Sequence, residues 1–192
     1  MIAGTAGGRR LAVPPGGGTR PTSDRAREGL FSSWTALRGT LDGARALDLY
    51  GGSGAVGLEA LSRGAAHTLI AEADTRAART IRDNIRALGL PGAELRTVRA
   101  EQLAAAPPTG APYDLAFLDP PYALGNGDLQ EILLTLGANG WLADDAVVTV
   151  ERSTRGGVFR WPAGYHELRS RRYGEGTLWY GRFAGHHVSD RS

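Results

Sequence analysis

Apolar positions recur along this chain with a helical period in some stretches and as short unbroken runs in others. Ala78, Ile81, Ile85 and Leu88 lie three to four residues apart, the spacing of one helix face. Leu129, Ile132, Leu133 and Leu136 repeat that spacing in a helix predicted over 128–137, and Ala26, Leu30, Trp34 and Leu37 do so earlier in the chain. Asp74 reads as the N-cap of the helix that Gly89 ends. Thr22, Ser23 or Asp24, just after Pro21, caps the earlier helix, which runs to about Leu37. Apolar runs too short for helices predict strands over 45–50, 67–72, 94–99, 113–118 and 146–151, with a further helix after the first of them reaching about Arg63. Strands alternating with helices predict an α/β fold with a mostly parallel sheet. Beyond residue 151 the alternation stops. Residues 165–173 and 177–183, parted by Gly174-Glu175-Gly176, predict an antiparallel terminal hairpin on the sheet edge.

The two ends read differently from this body. Glycine and proline dominate residues 1–21, where short extended pieces at 2–5 and 10–13 predict a small N-terminal β-hairpin leaning on the body or on a ligand. Residues 1–21 are thus an expected extension, 22–184 the body and 185–192 a frayed tail. His186 and His187 in that tail have no neighbouring ligand residues, and no metal site is expected.

Composition narrows the chemistry. A chain of 192 residues without cysteine is one domain with a possible appendage, and it can hold neither a disulfide nor a thiolate nucleophile. No apolar run approaches a membrane span and the first residues lack a signal core, so a cytoplasmic protein with no membrane partner is expected. The net charge of +2 conceals a division. Residues 1–38 hold six Arg against two acids, 39–151 eight Arg against fifteen, and 152–192 eight Arg against three. Basic ends around an acidic middle suit a body that performs chemistry and an edge that holds a polyanion.

Two stretches carry the candidate chemistry. Gly52, Gly54 and Gly57 follow the first strand with G-x-G-x-x-G spacing, and Glu72 ends the second strand. Such glycines let a ligand approach the backbone, and an acid at the next strand end can hold ribose hydroxyls. Two nucleoside cofactors compete for that crevice. A dinucleotide would lay its pyrophosphate on the helix N-terminus, whereas S-adenosylmethionine carries an ammonium and a sulfonium. Asp48, just ahead of the glycines, favours the cationic methyl donor. The second stretch, Asp119-Pro120-Pro121-Tyr122, closes the fourth strand. Its prolines stiffen the turn, the carboxylate and neighbouring carbonyls accept hydrogen bonds, and Tyr122 supplies a face for stacking. A planar substrate bearing an exocyclic amine needs these groups. In a doubly wound sheet the first and fourth strands adjoin, so donor and amine would meet there.

Residues 48–57 with Glu72, together with Asp119-Pro120-Pro121-Tyr122, resemble the class I S-adenosylmethionine-dependent amino-methyltransferases, which have a Rossmann-like sheet. Arg20-Pro21-Thr22-Ser23-Asp24-Arg25-Ala26-Arg27-Glu28 narrows the resemblance to the bacterial RsmD family, and Asn139-Gly140-Trp141-Leu142 is compatible with it. That family methylates N2 of guanine 966 in 16S ribosomal RNA, and an assembling small subunit is the expected partner. The resemblance implies that Asp48, Gly51, Gly52, Ser53 and Gly54 line the methionine part of the donor, that Glu72 holds its ribose, and that Ala100 and Glu101 lie near its adenine. It also implies that Thr22 and Arg25 close over the donor, while Asp119, Pro120 and Tyr122 hold the flipped guanine. Arg9, Arg10, Arg20 and Arg27 are the candidate RNA clamp. Three other readings stay open: a DNA amino-methyltransferase acting on adenine N6 or cytosine N4, an NAD-dependent oxidoreductase, and an RNA-binding module without catalysis.

Overall fold

The computed structural model describes residues 1–16 and 22–185, so Arg20, Pro21, His186 and His187 lie outside the described residues. Five helices and seven strands follow in the order α1 (Asp24–Arg38), β1 (Arg45–Leu49), α2 (Ala55–Ser62), β2 (His67–Ala71), α3 (Thr75–Leu88), β3 (Ala93–Arg96), α4 (Ala100–Ala105), β4 (Tyr113–Leu118), α5 (Asn126–Ala138), β5 (Leu142–Ser153), β6 (Tyr165–Tyr173) and β7 (Gly176–Phe183). The strands form one sheet in the order β3-β2-β1-β4-β5-β7-β6. The first five strands pair in parallel, and β7 joins β5 and β6 antiparallel. This is the expected doubly wound α/β sheet with β1 beside β4, and the chain reverses direction in the sheet between them.

Alternation along each strand divides the core in two. Leu47, Leu49, Ala116, Leu118, Val148 and Val150 enter one apolar layer with α4 and α5. Ala46, Leu115, Phe117 and Val147 enter the other, with Leu30, Phe31 and Trp34 of α1 and Leu58 of α2. Trp34 is fully buried and donates Nε1–H to Thr149 Oγ1 at 2.9 Å, so its polar atom is satisfied inside that layer.

The caps agree with the sequence reading. Ser23 accepts from Ala26 N–H, and Asp74 accepts from Arg76 N–H. Gly89 takes the left-handed conformation that ends α3. The apolar face of α5 is buried as expected. On α3 the inward row also includes Asn84, while Ile85 is only partly covered. Helix α4 has no counterpart in the sequence reading, since six residues are too few to establish a period. Strand β5 starts four residues before its expected start. Asp144 and Asp145 interrupt the apolar run, with Asp145 at φ +64° beside a register shift against β4.

The N-terminal hairpin is corrected. Residues 3–8 form turns, no strand occurs among residues 1–16, and the segment binds to helices rather than to itself. Ile2 and Ala3 N–H donate to the Glu59 carboxylate at 3.0 and 2.9 Å, and Ala6 N–H donates to Ser62 Oγ at 2.9 Å. Asn84 grips Ala12 through both its N–H (2.8 Å) and its C=O (3.0 Å). Side chains of α2 and α3 thus supply the partners that a second strand would have supplied. Gly4 has φ +78°, and a Cβ there would lie 1.8 Å from Ser62 O, so this contact requires glycine.

Helix α2 packs against the sheet at Gly57. A Cβ there would stand 2.6 Å from Thr68 Cγ2 and 2.8 Å from Ile70 Cγ1, both fully buried and β-branched. Gly57→Ala is expected to lower stability by about 2 kcal/mol through overpacking. Urea unfolding checks this, with a shifted midpoint and an unchanged slope.

Candidate active site

Four strands adjacent in the sheet each carry an acid toward the same edge: Glu72 after β2, Asp48 in β1, Asp119 after β4 and Glu151 in β5. Strand parity puts them on one face, because Ile70, Ala46, Phe117 and Val147 two or four residues earlier all enter the layer shared with α1. Register brings them level. Leu49 and Val150 both pair with Leu118, so Tyr50 and Glu151 flank Asp119 from either side.

The glycine-rich turn uses its own N–H groups. Gly51 donates to Ala71 O at 3.0 Å and Gly54 to Gly51 O at 2.7 Å. Gly52 donates to Glu72 Oε2 at 2.8 Å and Gly57 to Asp48 Oδ2 at 2.9 Å. Asp74 N–H holds the other Glu72 oxygen at 3.0 Å. Glu72 is thereby fixed in orientation, while each of its oxygens keeps a lone pair for a further donor. A Cβ on Gly52 would meet nothing within 4 Å, so the loop leaves open space there. Asn84 Nδ2 donates to Ser53 O at 2.9 Å, joining the turn to α3 and, through Ala12, to the N-terminal segment.

Burial raises three of these acids. Asp48 is 2% exposed, and its carboxyl is pushed up to about 8 by loss of solvent, against the opposing Gly57 hydrogen bond and with a small addition from Glu72. Asp119 is likewise pushed up to about 8, first by burial, then by Glu151 and Asp48; Thr22 and Arg152 act the other way. Burial raises Glu151 as well. Thr22 Oγ1 lies 3.2 Å from Glu151 Oε2 and 3.5 Å from Asp119 Oδ2, so this hydroxyl sits between the two carboxyls.

Beyond Asp119 the turn is held from behind. Pro120 is buried, Pro121 O accepts from Leu124 N–H at 2.9 Å, and Tyr122 projects with 52% of its surface exposed. Buried Arg152 donates to Leu124 O at 2.6 Å and lies within electrostatic reach of Asp119, Tyr122 and Tyr50. Tyr50, at φ +63°, turns the chain from β1 into the glycine loop. Its hydroxyl is pushed up to about 12 by burial and then by Glu101.

The structure therefore collects Thr22, Asp48, Gly51, Gly52, Ser53, Gly54, Glu72, Asp119, Pro120 and Tyr122 at one edge. Ala100 and Glu101 open α4, with Ala100 buried and Glu101 paired to Arg99 at 2.7 Å. The arginines separate. Arg10 and Arg25 are exposed, whereas Arg9 donates to Leu88 O at 3.1 Å and to Ala87 O, closing the C-terminal end of α3. Arg27 is corrected as a surface contact: it follows Ala26 on the inner side of α1 and is buried against Asp24 at 2.8 Å. Glu151 and Arg152 were missed because no short motif contains them, and Tyr50 because it lies in the 48–57 stretch outside the glycine spacing. The one available signal was that the apolar run of β5, like those of β2 and β4, gives way to an acid. Among the described residues no cluster of acids and histidines could hold a metal ion, and no helix is long and apolar enough to cross a membrane.

The chain matches relatives of known description over nearly its full length. It is 38% identical over 175 residues to ribosomal RNA small subunit methyltransferase D of Escherichia coli strain K12, covering 91% of this chain and 85% of the relative. It is 35% identical over 153 residues to the putative rRNA methyltransferase YlbH of Bacillus subtilis strain 168, covering 79% and 80%. A solved structure, the putative methyltransferase yhhF from Escherichia coli, superposes with a TM-score of 0.81 at 35% identity, covering 96% of this chain and 97% of that one. With residues 1–182 also matched by the family model described as Conserved hypothetical protein 95, the chain belongs to that family, together with ribosomal RNA small subunit methyltransferase D.

Proposed function

We propose that this chain transfers a methyl group from S-adenosylmethionine to the exocyclic N2 of a guanine in small-subunit ribosomal RNA. The observation that carries the reading is the row of acids along the carboxyl edge, with Asp48 and Asp119 on adjacent strands. Such a row attracts a cationic donor and opposes a pyrophosphate. The glycine turn argues the same way. The N–H groups of Gly51, Gly52, Gly54 and Gly57 each have a partner inside the protein, so none of these four is left to hold a pyrophosphate. The substrate class comes from the names of the relatives, and guanine N2 from Asp119, whose acceptor-only carboxylate complements the adjacent N1–H and N2–H donors of guanine.

When bound, S-adenosylmethionine supplies an electrophilic methyl on a sulfonium. The chain does the rest by placement. Asp48 and Glu72 hold the ammonium and ribose ends, Tyr122 stacks on the base, and ionised Asp119 with the Pro120 carbonyl accepts the two amine hydrogens. Accepting both draws the nitrogen lone pair out of conjugation and points it along the transfer axis. Arg152, by pinning Leu124 O, keeps the Asp119–Tyr122 turn from swinging away. Residues 1–21 serve as the RNA-facing extension of a body spanning 22–184, with Arg10, Arg20 and Arg25 as contacts to phosphate.

Radiolabelled methyl transfer to small-subunit RNA, assembled small subunits and duplex DNA, with the modified base mapped, tests the proposal. Label on adenine or cytosine of DNA would overturn it. Donor binding carries a pH signature as well. A cation beside Asp48 favours its ionised form, so below about pH 8 binding must expel a proton. Donor affinity is expected to rise with pH by up to about tenfold per unit toward pH 8 and to level off above it. Calorimetry in two buffers of different ionisation enthalpy measures the released proton directly.

A further inference from the structure

Glu151 has no part in the chemistry set out so far, yet it is as close to Asp119 as the sheet allows. Val150 pairs with Leu118, so the next residue on each strand lies side by side, and parity sends both carboxyls to the α1 face. The Thr22 hydroxyl stands between them, 3.2 Å from Glu151 and 3.5 Å from Asp119. The arrangement around Glu151 is tight. A Cβ on Gly176 of β7 would come within 2.6 Å of Glu151 Oε1, so only glycine leaves the carboxylate this position.

We propose that Glu151 is the positioning partner of Asp119: the two carboxyls share one proton through the Thr22 hydroxyl, and Glu151 takes it when the substrate amine docks. The inference rests on the reading of Asp119 as the acceptor for that amine. Two partly buried carboxylates this near each other resist ionising together. One of them must nonetheless be a bare acceptor for the amine N–H groups. A hydroxyl that can donate to one carboxyl while accepting from the other lets the shared proton move without either side chain shifting.

The proton balance of the reaction then closes. The amine lone pair forms the new N–C bond, the S–C bond breaks with its electron pair going to sulfur, and one N–H proton passes to Asp119. Both carboxyls are now protonated. Half-buried Glu151 gives one proton to solvent, which restores the singly protonated pair. The other groups acting on the pair are Asp48 from β1, Arg152 from β5 and Thr22 ahead of α1, while Tyr50 and Tyr122 act on Arg152. Of these, only Asp48 adds negative charge, and Arg152 opposes it.

Glu151→Gln puts a neutral amide where the protonated carboxyl stands, so Asp119 should ionise no earlier than it does in the pair. In single-turnover methyl transfer to small-subunit RNA, the acidic limb of the pH–rate profile is expected to stay within about half a unit of the wild type. A limb moved down by about a unit or more, in a variant that melts and binds donor like the wild type, would mean that Glu151 is charged while Asp119 ionises and would overturn its role. The unaltered, ligand-free protein gives a second readout. With carboxyl carbons of Asp and Glu labelled with 13C, the Asp119 and Glu151 resonances should follow two shared titration steps. Independent single steps would overturn the proposal. Asp119→Asn separates the two levels. Turnover by that variant would defeat the assignment of Asp119 itself, whereas its inactivity beside a lowered Glu151→Gln limb or independent titration steps would defeat the role of Glu151 alone.

Discussion

Asp119→Asn is expected to slow single-turnover methyl transfer by about a thousandfold while leaving donor affinity within a few-fold of wild type. The amide keeps the size and one acceptor oxygen, but its NH2 group would face the amine hydrogens that the carboxylate accepts. Donor and acceptor would then repel at the one place where the lone pair is aligned. Donor affinity should hold because the contacts proposed for the donor, Asp48 and Glu72, belong to the neighbouring strands. Calorimetric titration of donor into the variant, run beside the methyl-transfer assay, separates the two effects. If affinity and turnover fell together, Asp119 would belong to the donor site and the division of labour between β1 and β4 would be wrong.

Glu59→Ala should cost about 3 kcal/mol of folding stability although it lies away from the chemistry. Glu59 is fully buried on α2 and accepts from Ile2 N–H, Ala3 N–H and Arg63 Nε–H at 2.9–3.0 Å. Its loss strands two backbone donors and leaves the Arg63 guanidinium with Glu28, a half-exposed partner at 2.8 Å. Arg63 also lies over the Phe31 ring, 4.7 Å from its centroid, so the disturbance reaches the core layer under α1. Denaturant unfolding measures the loss, and amide hydrogen exchange should show residues 2–6 losing protection well before the sheet does. A penalty below about 1 kcal/mol would mean that water replaces the carboxylate freely, contrary to its burial.

These two residues illustrate what could and could not be read from the chain. Asp119 was legible because an apolar strand, a carboxylate, two prolines and an aromatic are contiguous, and the geometry of the turn follows from local stiffness. Glu59 was not. On a helix predicted from its apolar pattern, a single Glu reads as solvent-facing, and only the N-terminal segment laid over it makes it a buried anchor. The same lapse produced the expected N-terminal hairpin. Extended, glycine-punctuated pieces are compatible with a hairpin, and choosing between self-pairing and docking on α2 requires knowing what α2 offers.

Periods of apolar residues, caps and turn chemistry are local properties, so the sequence alone determined an alternating α/β sheet, a glycine turn after β1 and a stiff turn of a carboxylate, two prolines and a tyrosine after β4. The meeting of Thr22 with residues 97 and 129 positions further along the chain was decided by strand order and register alone. The same applies to the gathering of Glu72, Asp48, Asp119 and Glu151 into one acidic edge. Those depend on which strands adjoin and which side chains share a face, quantities that arise only when distant segments pair.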